Sequence, residues 1–321
     1  MNNELEELLK EVFPETVCEI RSEFQEDGLT NQNYIITVDN NRYAVRLGRK
    51  NAYELGINRE GEYTALKAVA EAGIGAEVVY FSVETGNMVT KYIDGVKWKE
   101  ENTKVAENME RIASVMRRIH ELPEIPFYFS PYKDINCRVE YARKNNLYLP
   151  ADIEILIAGM KEVQRERKKY EALSTGLCHN DPFPNNYLDD GTLRLIDWEY
   201  SGMGDIFFDL AIICMPYRKE QKEEFLTRYF GDCHEEKLSA LKQMEYIVTL
   251  WNAMWAVMQL RLSQGEGSAN YKDISDYLFS EARRIMKIYN NEEIKKGQPK
   301  AAPLMLFLNL CQNILNALCG I

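Results

Sequence analysis

The first third of the chain is built of short β-rich runs, whereas beyond Gly95 the apolar positions recur at helical spacing. Val17 to Phe24 is the first such run. Tyr34 to Val38 and Tyr43 to Leu47 follow, and Asp39, Asn40 and Asn41 between them are residues that tight reversals favour. Arg59 to Ala72 is rich in helix formers and ends near Gly73. Two more strands are predicted at Glu77 to Phe81 and Met88 to Tyr92, joined through Thr85, Gly86 and Asn87. Together these elements make a five-stranded sheet with one helix. Ile93, Asp94 and Gly95 break the pattern and set the predicted boundary between an N-terminal lobe, residues 1–94, and a C-terminal lobe, residues 95–321.

In the second part Ile112, Val115, Met116 and Ile119 repeat at helical spacing, as do residues of Asp152 to Tyr170. Two short strands interrupt around residues 187 and 195. Long helical patterns then run on, with Asp232 and Glu235 spaced as a capping box. No internal repeat or low-complexity segment is present. The expected class is α+β, a small antiparallel-sheet lobe followed by a larger, mainly helical one, and a cleft between such lobes is a usual place for a small ligand. Ala301 to Ile321 is Leu-rich and carries no charge, and about 20 apolar residues can span a bilayer. Asn309, Asn313 and Asn316, however, put a polar stripe on one helical face. The preferred reading is a helix packed on the body or on a second copy, giving a homodimer. Membrane contact is the alternative, and stable insertion is not expected.

Composition narrows the function. The 321 residues suit about two domains or lobes. With 45% apolar and 28% charged residues the chain reads as soluble and globular, which excludes disordered and fibrous classes. Lys plus Arg is 39 against 50 Asp plus Glu, a net charge of −11. That balance disfavours nucleic acid, whose phosphates need cations, and suits a cationic small molecule. Seven cysteines, with no C-x-x-C pair, argue against a disulfide framework or zinc ribbon and for reduced thiols in a cytoplasm. His120, His179 and His234 leave little room for a histidine metal site. Met1 to Glu15 is acidic and lacks the apolar run of a secretory signal.

The richest stretch for chemistry is Leu177 to Leu210. Asp190-Gly191 marks a hairpin turn, which brings Asn186 at its entrance close to Asp197 at its exit. An amide oxygen beside a carboxylate suits a hard cation such as magnesium. Asp181 precedes them on a loop stiffened by Pro182 and Pro184. A carboxylate beside a phosphate-bound metal can orient a hydroxyl and take its proton as a phosphoryl group moves. The bland alternative makes all three residues turn and capping groups.

His179, Asp181 and Asn186 fit H-x-D-x-x-x-x-N. Asp197 follows within I-D-W-E-Y, and Phe208 to Ala211 reads F-D-L-A. This segment resembles the catalytic segment of the protein-kinase-like small-molecule kinases, which include aminoglycoside phosphotransferases and choline/ethanolamine kinases. The H-N-D triplet and L-I-D-W-E-Y resemble the choline/ethanolamine kinases most, especially bacterial ones. The resemblance covers roughly residues 20–260 and implies a protein-kinase-like two-lobed fold, with ATP and magnesium as cofactors. By that resemblance Asn186 and Asp197 ligate the metal, Asp181 is catalytic, His179 supports the loop, and the buried Asp209 braces it. Gly28-Leu29-Thr30-Asn31 takes the place of the phosphate-covering loop, although a run with one glycine, taken alone, reads rather as a hairpin turn. Tyr43 to Leu47 resembles the kinase V-A-I-K strand, with Arg46 in place of lysine; arginine can grip phosphates bidentately. In the family a glutamate on the next helix holds that cation. Glu62 is the chosen partner, Glu60 the competitor, and a solvated surface charge the plain alternative for either. Val89 to Tyr92 stands at the hinge, which makes Thr90 and Tyr92 candidates for the ATP site.

The acceptor is harder to read. A quaternary ammonium is recognised by aromatic faces, and the chain has 19 Tyr and 4 Trp. Trp251 and Trp255 share a helical face and resemble the paired tryptophans of choline kinases. Tyr200, after Glu199, matches the cage tyrosine of that family, and Tyr217 and Tyr271 are further candidates by position. Met244, Val248, Trp251, Trp255 and Met258 also read as a plain core stripe. Some choline kinases carry an acid where this chain has Cys214 to Tyr217, so Asp181 and Glu199 would have to supply the negative charge. The expectation is an ATP-dependent kinase of a small amino alcohol, choline first, giving phosphocholine and ADP. Ethanolamine kinase and aminoglycoside-type antibiotic phosphotransferase are the alternatives. A catalytically inactive, kinase-like binding protein is the rival from another class.

Overall fold

The computed structural model describes residues 3–14, 21–25, 31–48, 52–262 and 268–289. Helix α1 (Asn3–Val12) opens the chain, and its Leu5, Leu8 and Leu9 point inward. Strands β1 (Arg21–Gln25), β2 (Gln32–Val38) and β3 (Asn41–Leu47) precede helix α2 (Arg59–Glu71), and β4 (Val78–Phe81) and β5 (Met88–Lys91) follow it. The five strands form one antiparallel sheet in the order β1-β2-β3-β5-β4. Val38 faces Asn41 across the tight turn between β2 and β3, where Asp39 and Asn40 take φ of 48° and 65°. Those are left-handed values that short polar side chains tolerate. The leucines of α1 pack on Ile36, Val38, Val45, Leu47 and Val89 of the sheet. Ala65, Leu66 and Val69 of α2 belong instead to the large core shared with the helical part.

After Tyr92 the chain leaves that sheet. It continues through β6 (Val96–Lys97), α3 (Glu100–Thr103), α4 (Ala106–His120), α5 (Pro131–Lys144), α6 (Ile153–Arg167) and α7 (Glu171–Ser174). Next come β7 (Thr175–Cys178), β8 (Tyr187–Asp189), β9 (Leu193–Leu195) and β10 (Gly202–Asp205). Helices α8 (Phe207–Cys214), α9 (Lys219–Phe230), α10 (Glu235–Leu262) and α11 (Ser268–Tyr289) complete the described chain. Strands β6, β8 and β9 form a small sheet, and β7 pairs with β10. From Tyr246 to Met258 α10 is buried on nearly every side, as expected of a stretch apolar almost all round, and it packs on α5, α8 and α11. The predicted sheet lobe and helical remainder are both present.

Several expectations change. α1 was not foreseen. α10 begins at Glu235, so Asp232 is too far ahead to cap it, and pairs with Lys237 instead. Val17 to Ile20 of the first predicted strand lie outside the described residues, as does the uncharged segment Ala301 to Ile321. Among the described residues no helix is long and apolar enough to cross a membrane. Cys137, Cys178, Cys214 and Cys233 are free thiols.

Candidate active site

The site is assembled on the loop that leaves β7. Asp209, fully buried in the first turn of α8, accepts the backbone N–H of His179 at 2.8 Å and of Asn180 at 2.7 Å. His120 Nε2 lies 3.0 Å from the same carboxylate, and His120 Nδ1 lies 2.6 Å from Tyr229 Oη. Cys178 is close enough to complete a metal-like trio with His120 and Asp209, but the Asp209 oxygens are already engaged by these bonds. The cluster is therefore a brace. It holds Asn180 at φ 64°, an unfavourable left-handed value, and Asn180 Nδ2 donates to the Tyr200 carbonyl at 2.9 Å. His179 accepts from the Asp181 N–H through Nδ1 at 3.2 Å and meets the Ile196 carbonyl through Nε2 at 2.9 Å. Burial lowers its pKa, which keeps the ring neutral and Nδ1 able to accept.

β8 and β9 form the predicted hairpin. Its loop is one residue longer than a two-residue turn, Asp190 to Thr192, with Gly191 at φ 99°. The Ile196 N–H donates to the Asn186 carbonyl at 3.0 Å, so Asn186 and Asp197 stand at the same end of the ladder. Asp197 is held at φ 67°, a second left-handed residue beside the first. Asn186 Nδ2 donates to the Asp181 carbonyl at 2.8 Å and to its carboxylate at 3.0 Å. The three residues singled out from sequence thus come together.

Charge is concentrated here. Burial, then the neighbouring Asp197 and Glu199, push the Asp181 carboxyl well above its usual value. Burial and Glu199 push Asp197 up to about 7, against the pull of the Arg46 and Arg59 guanidiniums. Asp181, Asp197, Glu199 and Glu62 face two guanidiniums. An excess of buried carboxylate with an amide oxygen beside it fits a hard divalent cation such as magnesium.

The two arginines meet on one acid. Arg46 Nη1 donates to Glu62 Oε1 at 2.5 Å, and its Nε and Nη2 donate to the Gly86 carbonyl at 3.2 and 3.1 Å. Burial alone would lower the Arg46 pKa, but Glu62, helped by Glu199 and Asp197, raises it. Glu60 is exposed and is not the partner. Arg59 Nη1 donates to the other Glu62 oxygen at 2.6 Å and lies 3.6 Å from Glu199 Oε2. Asn31 Nδ2 donates to Glu199 at 3.1 Å, whereas Gly28, Leu29 and Thr30 lie outside the described residues. Thr90 is buried in β5 opposite Ala44, and the Arg42 guanidinium lies 3.9 Å over the Tyr92 ring.

A cleft of about 1000 Å³ opens beside this cluster, with Arg59, Phe129, Asp134, Arg138, Glu199 and Tyr200 among its walls. The Tyr200 hydroxyl has no hydrogen-bond partner among the described residues, and burial, then Glu199, raise its pKa against the pull of Arg138. Trp251 is buried. Its ring meets Tyr200 edge-on at 5.2 Å, and its Nε1 donates to Asp134 at 3.3 Å. The Arg138 guanidinium covers the indole at 4.1 Å from the ring centre. The Trp251 face that the sequence offered to a substrate cation is therefore occupied by a protein cation. Trp255 packs with Tyr271 at 5.9 Å. Tyr217 does not reach the cleft; its hydroxyl donates to the Thr103 carbonyl at 2.6 Å and its ring meets Phe225. Sequence reading passed over Arg59, Asp134, Arg138, His120 and Asn180. Of these Asn180 carried a signal as the middle of the H-N-D triplet, and Arg59 by its place beside Asn58, which caps α2 by accepting the Gly61 N–H at 3.1 Å.

Residues 23–242 match the APH family, the phosphotransferase enzyme family. The chain belongs to that family and is a phosphotransferase of kinase-like fold. Among curated relatives, it is 27% identical over 260 residues to Protein LicA of Haemophilus influenzae, covering 76% of this chain and 94% of that protein. The choline kinase LicA of Streptococcus pneumoniae superposes with a TM-score of 0.72 at 23% identity, over 88% of this chain and 99% of that one. A structure of LicA in complex with AMP gives 0.72 at 24% identity, over 90% and 100%.

Proposed function

We propose that the chain is an ATP-dependent kinase that moves the γ-phosphoryl group of ATP to the hydroxyl of a small amino alcohol, choline first, giving phosphocholine and ADP. The observation that carries this reading is the convergence of Asp181, Asn186 and Asp197 at one end of a hairpin. ATP would lie between residues 1–94 and 95–321, with its phosphates toward Asn31 and Arg46, its adenine toward Thr90 and Tyr92, and Glu62 holding Arg46. Asn186 and Asp197 would hold magnesium, which neutralises charge on the transferring group. Asp181 orients the acceptor hydroxyl. Transfer is direct, because among the described residues no activated Ser, Cys or His nucleophile faces the cleft. Tyr200, Glu199 and Asp134 give the acceptor wall an aromatic face and two acids, which suits an ammonium. The similarity to choline kinases named LicA supports choline, and the AMP complex of one of them supports an adenine nucleotide.

One observation favours a second reading. With Arg138 over Trp251, the aromatic surface left for a quaternary ammonium is small. A primary ammonium, which donates hydrogen bonds to carboxylates and carbonyls, needs less of it. Ethanolamine is the acceptor in that case. ADP release measured with choline, ethanolamine and a kanamycin-type aminoglycoside, with Asp181→Ala as control, separates the readings. Turnover with choline alone supports the first, and turnover with ethanolamine the second. Turnover with the antibiotic alone overturns both. Near-native turnover of Asp181→Ala would remove Asp181 from the chemistry.

A further inference from the structure

Arg46 and Arg59 share Glu62, yet their remaining donors are used differently. All the Arg46 nitrogens are engaged, Nη1 by Glu62 and Nε and Nη2 by the Gly86 carbonyl. Arg59 is more than nine-tenths buried, and its Nε and Nη2 have no hydrogen-bond partner among the described residues. Buried guanidinium donors are normally satisfied, because burying them unpaired is costly. The Gly86 backbone closes over this side chain: a Cβ at Gly86, where φ is +74°, would come within 2.5 Å of Arg59 Nε. Arg59 also lines the cleft and lies 3.6 Å from Glu199. It therefore stands on the cleft wall beside Glu199, which is two residues along the chain from the proposed metal ligand Asp197.

We propose that Arg59 receives the transferring phosphoryl group through Nε and Nη2, a role distinct from that of Arg46 on the bound nucleotide. This rests on the phosphotransfer reading above. In the step served, the bond between the γ-phosphorus and the bridging oxygen breaks, and its electron pair stays on ADP. A bond forms from the acceptor oxygen to phosphorus, and the hydroxyl proton leaves by way of Asp181. Arg59 forms no covalent bond. Its two parallel N–H groups match the spacing of two phosphoryl oxygens, and its charge offsets the charge spread over them in transfer.

The experiment compares MgADP with MgADP plus aluminium fluoride, which stands in for the phosphoryl group in flight, by titration calorimetry on the wild-type chain, Arg59→Met and Arg59→Lys. Arg59→Lys keeps the charge beside Glu62 but lacks the paired donors, so it remains informative if Arg59→Met fails to fold. The expected result is a loss of about tenfold or more in affinity for the fluoride complex with MgADP affinity almost unchanged. kcat should fall by about a hundredfold while KM for ATP moves little. Equal losses for both ligands would reduce Arg59 to a structural strut, and no loss would remove it altogether. A wild-type chain that binds neither ligand would fail the phosphotransfer reading itself, a result distinct from either.

Discussion

Glu62 is the residue on which the two buried guanidiniums depend. Its carboxylate is wholly buried and accepts from two guanidiniums, one on each oxygen. Removing one partner of a buried pair leaves an uncompensated charge, which costs far more than the pair itself is worth. Glu62→Gln is therefore expected to lose about 3 kcal/mol or more of stability, read as a lower urea midpoint with an unchanged slope. A midpoint within error of wild type would mean that the two arginines are held by other groups. Glu62 was readable in the sequence because it follows Arg46 in the order a known pattern demands. Arg59 sits three residues from it, but its two unpaired donors are a fact of three dimensions. Trp251 stayed ambiguous in the sequence for a related reason. A helical stripe of Met, Val and Trp looks alike whether it lines a cage or a core, and Arg138, which occupies the ring, comes from a helix 113 residues earlier.

Among the elements, α1 shows where attention to charge hid an apolar pattern. Leu5, Leu8 and Leu9 stand at i, i+3 and i+4 within an acidic run, which is the signature of a helix with one buried face. The helix covers the sheet that carries Arg46, so its packing reaches the site through β3. Leu9→Ala is expected to cost about 3 kcal/mol and to speed amide exchange in β2 and β3 before it affects α10. Uniform loss of protection across the chain would argue against a separate sheet core. The pairing of β7 with β10 was missed for the opposite reason. Gly202-Met203-Gly204-Asp205 has little intrinsic strand preference. It is extended because Gly202 and Gly204 let the Phe127 to Phe129 backbone approach: the Met203 N–H donates to the Phe127 carbonyl at 2.8 Å, and the Met203 carbonyl accepts from the Phe129 N–H at 2.9 Å. That ladder follows directly on Glu199 and Tyr200, so an element invisible in composition helps place two residues of the cleft wall.

On the scale of the whole molecule, the site stores unfavourable charge that a metal should release. Asp197 sits near 7 in the fold, against an ordinary 3.8. Between those values the folded chain keeps a proton that the unfolded chain has given up. Without metal, stability therefore falls as pH rises through that window. A divalent cation needs the ionised carboxylate, so its binding must expel the proton, at a cost that is large at low pH and gone once Asp197 is ionised. Ligand binding raises the melting temperature by mass action. The rise produced by magnesium with ADP should consequently be larger at about pH 8 than at about pH 6, and the difference should vanish in Asp197→Asn. Differential scanning calorimetry at fixed ligand concentration measures both. Equal rises at the two pH values would mean that the cation does not meet Asp197, and the convergence of carboxylates at the end of the hairpin would need another occupant.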